Sequence, residues 1–244
     1  MNIIINGICG FMGAHVLKLA KENDSIDKIY GIDIKAEECK EVVCAKSFDE
    51  ADFDADLIID FSSHFATKGL IDYAVKKNLP IVLATTGQTE EELEYIYKAA
   101  KKLPIFFASN YSLGVSLLIE SAKKIASVMK DADIEIVETH HNRKIDAPSG
   151  TAKSIAEAIC EVRPELVMTC GHSAKRQKNE LGIHSVRMGN NVGIHEVIIG
   201  TDEQSITIKH EAYTRAVFAQ GALSAANFLM GKSAGLYGMN DMLK

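Results

Sequence analysis

The segment Asn2-Ile3-Ile4-Ile5-Asn6-Gly7-Ile8-Cys9-Gly10-Phe11-Met12-Gly13 decides the fold of this 244-residue chain. Its apolar run over 2–6 predicts a buried strand and its three glycines a tight turn. Met12, Val16, Leu17 and Ala20 then recur at the spacing of one inner helical face. Strand, glycine-rich turn and helix in that order form the context of a dinucleotide fingerprint, in which amides at the helix start face a pyrophosphate. The spacing is GxxGxxG, because Cys9 stands at the middle glycine of GxGxxG. Gly7, Gly10 and Gly13 could equally serve close packing with no ligand, so the string alone is weak. A second strand, KIYGID over 28–33, strengthens it. Asp33 lies twenty residues after Gly13, where an acid can accept hydrogen bonds from a ribose diol.

Outward from this unit the pattern repeats. LIIDF at 57–61, PIVLA at 80–84 and PIFFA at 104–108 read as buried strands, separated by helices that run to about Asn78 and Lys102. Alternating strand and helix predicts a parallel sheet with right-handed crossovers. Ser62, Ser63 and His64, then Thr85, Thr86 and Gly87, then Ser109 and Asn110 follow successive strands, on the side where crevices open in such sheets. Plain turn chemistry also favours these residues. After a helix over Leu113–Lys130 the pattern changes. A strand starts at Asp133, a helix starts near Ser149 to Thr151, and strands near 183–188, 194–200 and 205–212 follow with no helix between them. A final helix over Arg215–Met230 could return to the first domain. The expected fold is α/β: a Rossmann-like dinucleotide domain with a parallel sheet, residues 1–110 plus 213–244, and a second α+β domain on a mixed sheet, residues 111–212.

A net charge of −6 without a basic cluster argues against nucleic acid as a partner. No apolar run approaches eighteen residues, and residues 2–6 read as a strand rather than part of a leader, so no membrane segment is expected. Five cysteines without a framework spacing fit reduced thiols, and the expected location is the cytoplasm. An anionic ligand then needs local positive charge. ETHHNRKIDAPSGTA at 138–152 supplies it: His140, His141, Arg143 and Lys144 fall within five positions, ahead of a Pro-Ser-Gly-Thr turn that opens a helix. Such a segment can hold an anion and pass it a proton. On a strand the two histidines point to opposite faces, so one can serve the reacting atom while the other binds or packs elsewhere. The bland alternative is a solvated polar loop. Adjacent histidines chelate poorly and no common zinc spacing is present, so no metal is expected. His184, Arg187, His195, His210 and Arg215 lie on the later elements as sheet-surface or hydrogen-bonded residues, with Arg187 and Arg215 as plausible carboxylate partners.

These motifs together resemble the 4-hydroxy-tetrahydrodipicolinate (dihydrodipicolinate) reductase family over nearly the whole chain. GICGFMG at 7–13 resembles its nucleotide loop, ATTG at 84–87 and ASNYSLG at 108–114 its nicotinamide-side loops, THHNRKIDAPSGTA its signature, and GIHSVRMGNNVGIHEV at 182–197 its C-terminal sheet. The resemblance implies a hydride from NADH or NADPH delivered to C4 of a cyclic imine dicarboxylate, with loss of a 4-hydroxyl, on the diaminopimelate route to lysine. By motif position it makes His140 the acid–base residue, Lys144 its cationic partner, and His141, Gly150 and Thr151 substrate contacts. The coenzyme falls to Gly7, Ile8, Cys9, Gly10, Phe11, Met12, Asp33, Ala84, Thr85, Thr86, Ala108, Ser109, Asn110 and Tyr111. The family's habit is a homotetramer built through the C-terminal sheet. The sequence departs from the family at Cys9, often glycine, at Phe11, often arginine, and at His64, where a proline is common. Asp33 and Phe11 favour NADH, and Lys35 is the counter-argument. The competing reading is a dinucleotide-sensing regulatory protein without catalysis, which could dispense with His140 and Lys144. A dehydrogenase with its own nucleophile is a third, and Cys160 on an apolar helical face suits it poorly.

Overall fold

The computed structural model describes residues 1–172 and 174–244. The chain forms two compact units, one of Met1–Ser112 with Arg215–Lys244 and one of Leu113–Thr214. In the first, β1 (Asn2–Asn6) leads through the glycine turn into α1 (Phe11–Lys21), followed by β2 (Lys28–Ile32), β3 (Val43–Ala45), β4 (Leu57–Asp60), α2 (Thr67–Lys77), β5 (Ile81–Leu83), α3 (Glu90–Ala99) and β6 (Pro104–Phe107). Ile3, Ile4, Ile5, Leu57, Ile58 and Ile59 are wholly buried, as expected of parallel strands covered on both faces. Local signals set the helix ends. α2 stops at Asn78, whose φ of 55° is left-handed, and α3 starts at Thr89, whose side chain and that of Glu92 cap each other's backbone N–H.

The second unit comprises α4 (Leu113–Val128), β7 (Asp133–His140), α5 (Gly150–Val162), β8 (Val167–Cys170), β9 (Glu180–Arg187), β10 (Gly193–Gly200) and β11 (Ser205–Ala212). The sheet order is β11-β10-β7-β9-β8, with β7 at the centre. It is mixed, because β10 runs antiparallel to β7 and β11 while β9 runs parallel to β7 and β8. Alternate residues of β7 are buried, so Ile134 and Ile136 pack with Leu118, Ala122 and Ala126 of α4 and Ala152, Ile155 and Ile159 of α5. The same alternation carries Glu138 and His140 onto that buried face.

The chain then returns to the first unit with α6 (Ala216–Leu229), β12 (Gly235–Tyr237) and α7 (Met239–Met242). Ala219, Ala222, Leu223 and Ala226 of α6 share a core with Ile3, Ile5, Val16 and Leu17. The sheet order is β12-β6-β5-β4-β1-β2-β3, every pair parallel. Its direction of winding reverses between β1 and β4, and a crevice opens at such a switch point beyond the strand C-termini. The sequence reading missed β3, β8 and β12. Each is an edge strand of three or four residues, too short for a periodic pattern to register.

Candidate active site

The chemistry of the second unit is built around the end of β7. Glu138 is wholly buried, and its carboxylate accepts from four sides. Arg187, the last residue of β9, donates Nη1 to Oε2 at 2.9 Å and Nη2 to Oε1 at 2.7 Å, a two-pronged charge-assisted pair. The Ser149 N–H donates to Oε1 at 3.1 Å, and the Ser185 hydroxyl also hydrogen-bonds the carboxylate. The fourth partner is Nδ1 of His140. Burial alone would raise the Glu138 carboxyl, but Arg187, Ser185, His140 and the Ser149 N–H bring it down to about 2. It is a fixed negative charge.

His140 is itself buried, and burial pushes its imidazole below the usual histidine range, helped by Lys144 and Arg187 and opposed by Glu138. His195 of β10 pairs with Glu138 across the ladder and packs edge-on against the His140 ring, centroids 5.2 Å apart. Its Nε2 lies 3.2 Å from the Ser149 hydroxyl. Burial first, then His140, His210 and Lys144, bring His195 down to about 4. Ser149 caps α5, its hydroxyl accepting from the Ala152 N–H at 3.2 Å, so Gly150 and Thr151 form the positive start of the helix dipole. Lys144, half-buried, pairs with Asp146 at 2.8 Å, while the His141 N–H donates to the Asn191 carbonyl. The end of β7 thus gathers His140, Lys144 and the head of α5. Arg187, a plausible carboxylate partner by sequence, has both terminal nitrogens on the carboxylate of Glu138.

Glu138 and Ser149 were not among the sequence candidates, and His195 was read only as a sheet-surface or hydrogen-bonded residue. Glu138 had a readable signal, being a carboxylate two residues before His140 on a face otherwise apolar at Ile134 and Ile136. His195 and the Arg187 pairing had none, because both depend on strand register. On the other face of this sheet Glu135, His172 and His184 offer donor atoms within 4.8 Å of one another. Arg176 also donates to Glu135 at 3.0 Å, and the cluster is an ion-pair hub that fastens the β8–β9 connection.

In the first unit Gly7 has a φ of +79°, open to glycine, and a Cβ there would stand 2.6 Å from the Phe61 carbonyl oxygen. A Cβ at Gly13 would collide with the Gly7 carbonyl. Both glycines are therefore required by the close packing of the turn against the loop after β4 and against the head of α1. Asp33 follows β2 and is held at both oxygens, by the Cys9 N–H at 3.0 Å and the Lys35 N–H at 3.0 Å. Gly7, Gly10, Asp33, Phe61, Ser62 and Phe65 line a cavity of about 600 Å³ at the switch point. Ile8 is buried beneath the turn, while Phe11 is exposed and the Arg215 guanidinium lies over its ring at 5.4 Å. His64 pairs with Glu92 at 3.1 Å, which ties the loop after β4 to the head of α3. Ala84 and Thr85 follow β5 with Thr86, and Ala108, Ser109 and Asn110 follow β6, at the same ends of the parallel strands. Tyr111 turns inward, its hydroxyl within reach of the Leu83 and Phe106 carbonyls, so its side chain belongs to the core.

Comparison with known proteins decides the family. Residues 1–111 match the model "Dihydrodipicolinate reductase, N-terminus" and residues 114–243 match "Dihydrodipicolinate reductase, C-terminus". The chain belongs to the dihydrodipicolinate reductase family. It is 45% identical to 4-hydroxy-tetrahydrodipicolinate reductase of Caldanaerobacter subterraneus subsp. tengcongensis, over all of this chain and 98% of that one, and 40% identical to that of Clostridium tetani, over all of this chain and 97% of the relative. Dihydrodipicolinate reductase from Paenisporosarcina sp. TG-14, solved with dipicolinate bound, superposes with a TM-score of 0.84 at 25% identity, covering 99% of this chain and 98% of the other. A probable dehydrogenase of Thermotoga maritima shares the fold at 10% identity and a TM-score of 0.68. Membership in this reductase family makes the chain an oxidoreductase of lysine biosynthesis rather than a non-catalytic sensor. No helix among the described residues is long and apolar enough to cross a membrane.

Proposed function

We propose that this reductase converts 4-hydroxy-tetrahydrodipicolinate to tetrahydrodipicolinate with NADH or NADPH, NADH being preferred. One observation carries the reading: His140, Lys144 and the head of α5 stand together at one end of β7, joining a proton carrier to two sites for negative charge. A small cyclic dicarboxylate needs that combination. The Lys144 ammonium takes one carboxylate after leaving Asp146, while the start of α5 at Gly150 and Thr151, with His141, suits the other. His140 supplies the proton to the ring carbon beside the one reduced, a task for which the imidazole range is apt.

The coenzyme, when bound, supplies the hydride to C4. The loop Gly7-Ile8-Cys9-Gly10-Phe11-Met12 fits its pyrophosphate, since Gly7 and Gly10 line the cavity and Gly10 stands at the head of α1, where backbone N–H groups are free. Asp33 fits the ribose diol, and Ala84 to Thr86 and Ala108 to Tyr111 the nicotinamide side, Tyr111 through its backbone. NADH is preferred because the Asp33 carboxylate repels a 2′-phosphate and the Lys35 ammonium is drawn to Glu38 at 3.5 Å. Lys46 on the cavity wall and Arg215 over Phe11 keep NADPH usable. The face of the second unit's sheet bearing Val137, Thr139, Ile194 and Ile198 is half-exposed in the single chain, and it serves as the interface of a cytoplasmic homotetramer.

Following NADH absorbance with freshly prepared substrate tests the reading. Turnover is expected, with pyridine-2,6-dicarboxylate, a planar dianion of the same shape, competing. Coenzyme binding without any turnover would overturn it.

A further inference from the structure

We propose that Glu138 is the positioning residue for proton transfer: its carboxylate holds His140 with hydrogen on Nδ1, leaving Nε2 to exchange the proton, while Arg187 holds that carboxylate ionised and oriented. The proposal rests on the functional reading above for the role of His140, and it adds which nitrogen reacts and what fixes it.

The geometry leaves little choice of tautomer. A carboxylate that is ionised only accepts, so the ring nitrogen facing it must carry the hydrogen. Glu138 is kept ionised by the Arg187 pair at 2.9 and 2.7 Å and by the Ser149 N–H at 3.1 Å. It cannot turn away, because each oxygen is already engaged by Arg187. Nε2 of His140 lies over Gly193, where an added Cβ would come within 3.1 Å of it, so the room beside that nitrogen is room that glycine leaves. Proton transfer from Nε2 then balances simply. From the imidazolium, the Nε2–H bond breaks, a C–H bond forms with the electron pair of the substrate carbon, and the ring is left neutral with its remaining hydrogen on Nδ1, hydrogen-bonded to the Glu138 carboxylate.

The same pair also sets the distance between parts of the site. Arg187 donates to the Asp146 carbonyl at 2.7 Å, which fastens the loop carrying Lys144. Through Ser149, Glu138 fastens the head of α5. The charged and titratable groups facing His140 are Glu138 on its own strand, Lys144 on the following loop, Arg187 on β9 and His195 on β10, with His210 behind His195. Glu138 favours the imidazolium, and Lys144 and Arg187 oppose it. Removing the carboxylate charge must therefore lower the pH at which His140 titrates.

The test is nitrogen NMR of the full chain labelled with 15N-histidine, the His140 signals being identified by their loss in His140→Asn. In the wild type the neutral ring should carry hydrogen on Nδ1. In Glu138→Gln it should shift toward the Nε2–H form, with a lower titration midpoint and a kcat reduced between about 10²- and 10⁴-fold while KM stays within a few-fold. Glu138→Asp should recover part of the loss. A wild-type ring holding hydrogen on Nε2, or a Glu138→Gln protein with unchanged tautomer and midpoint, overturns the proposal. The wild-type measurement needs no variant at Glu138, so a Glu138→Gln chain that fails to fold still leaves a decision. It also needs no substrate: absent turnover with hydrogen on Nδ1 defeats the functional reading alone, and turnover with hydrogen on Nε2 defeats this one alone.

Discussion

At the scale of single residues, charge and protons separate the proposed roles. His140→Ala should lower kcat by about 10²-fold or more with a modest change in KM, because a lost proton carrier acts on the chemical step. Lys144→Ala should lower kcat and raise KM together, since the ammonium is assigned to a carboxylate present in both ground and transition states. Steady-state kinetics on the two variants distinguish them, and equal, KM-only losses would reverse the assignment. Asp33 belongs to the other half of the reaction. Asp33→Ala should move the ratio of kcat/KM toward NADPH, measured at equal salt, because a negative charge opposite the 2′-phosphate is gone. The variant also releases the Cys9 N–H, so some loss with both coenzymes is expected. An unchanged ratio would mean that Lys35 or Lys46 governs that pocket. His140 and Lys144 were legible because they stand in one contiguous motif, and Asp33 because it ends the strand that follows the glycine loop at a fixed spacing. Glu138 was on the page as the first letter of the same motif and on the apolar face of Ile134 and Ile136, but its partners Arg187 and Ser185 come from another strand and were not.

At the scale of elements, two contacts set how helices dock. Gly221 in α6 lies against the Tyr111 carbonyl, and a Cβ there would occupy the same space as that oxygen. Gly221→Ala should therefore cost several degrees in Tm by pushing α6 off the Tyr111 backbone, whereas Gly150→Ala meets nothing within 4 Å and should be near neutral for folding. Thermal unfolding followed by circular dichroism ranks the two, and equal melting would remove Gly221 from the core. Ser149→Ala should destabilise α5 by about 1 kcal/mol through loss of its cap. It leaves the backbone N–H that reaches Glu138 in place, so kcat should fall far less than in Glu138→Gln. The alternation of Ile134, Ile136 and Glu138 was a readable pattern for β7, and the start of α5 near Ser149 was readable from the helical face that follows it. The edge strands β3, β8 and β12 were not, because their three or four residues are held by a neighbour's ladder and carry no period of their own.

At the scale of the whole molecule, acid should attack the second unit in two stages. His195 is buried neutral with its affinity for protons lowered to about 4. The unfolded chain binds that proton more readily, so stability is fully present above about 6.5 and declines as pH falls toward 4, by up to roughly 3 kcal/mol. Glu138, lowered to about 2, contributes stability that is present above the ordinary glutamate range and is lost as pH falls from about 4.5 toward 2. Urea unfolding at stepped pH should show His195→Asn flattening the upper window and leaving the lower one, and a variant indistinguishable from wild type between pH 6.5 and 4 would contradict the assignment. Sedimentation should give a tetramer, with a charge at Val137 or Ile198 dissociating it. By itself the sequence determined the alternating strands and helices, the switch to consecutive strands, the glycine loop with its acid, and the signature loop, because each is written in residues close together along the chain. The tertiary structure alone decided that Glu138 meets Arg187, 49 residues away, and that His195 comes to rest on His140. Those contacts follow from the register of β7 between β9 and β10, and register is fixed by burial of whole sheet faces, which no local pattern carries.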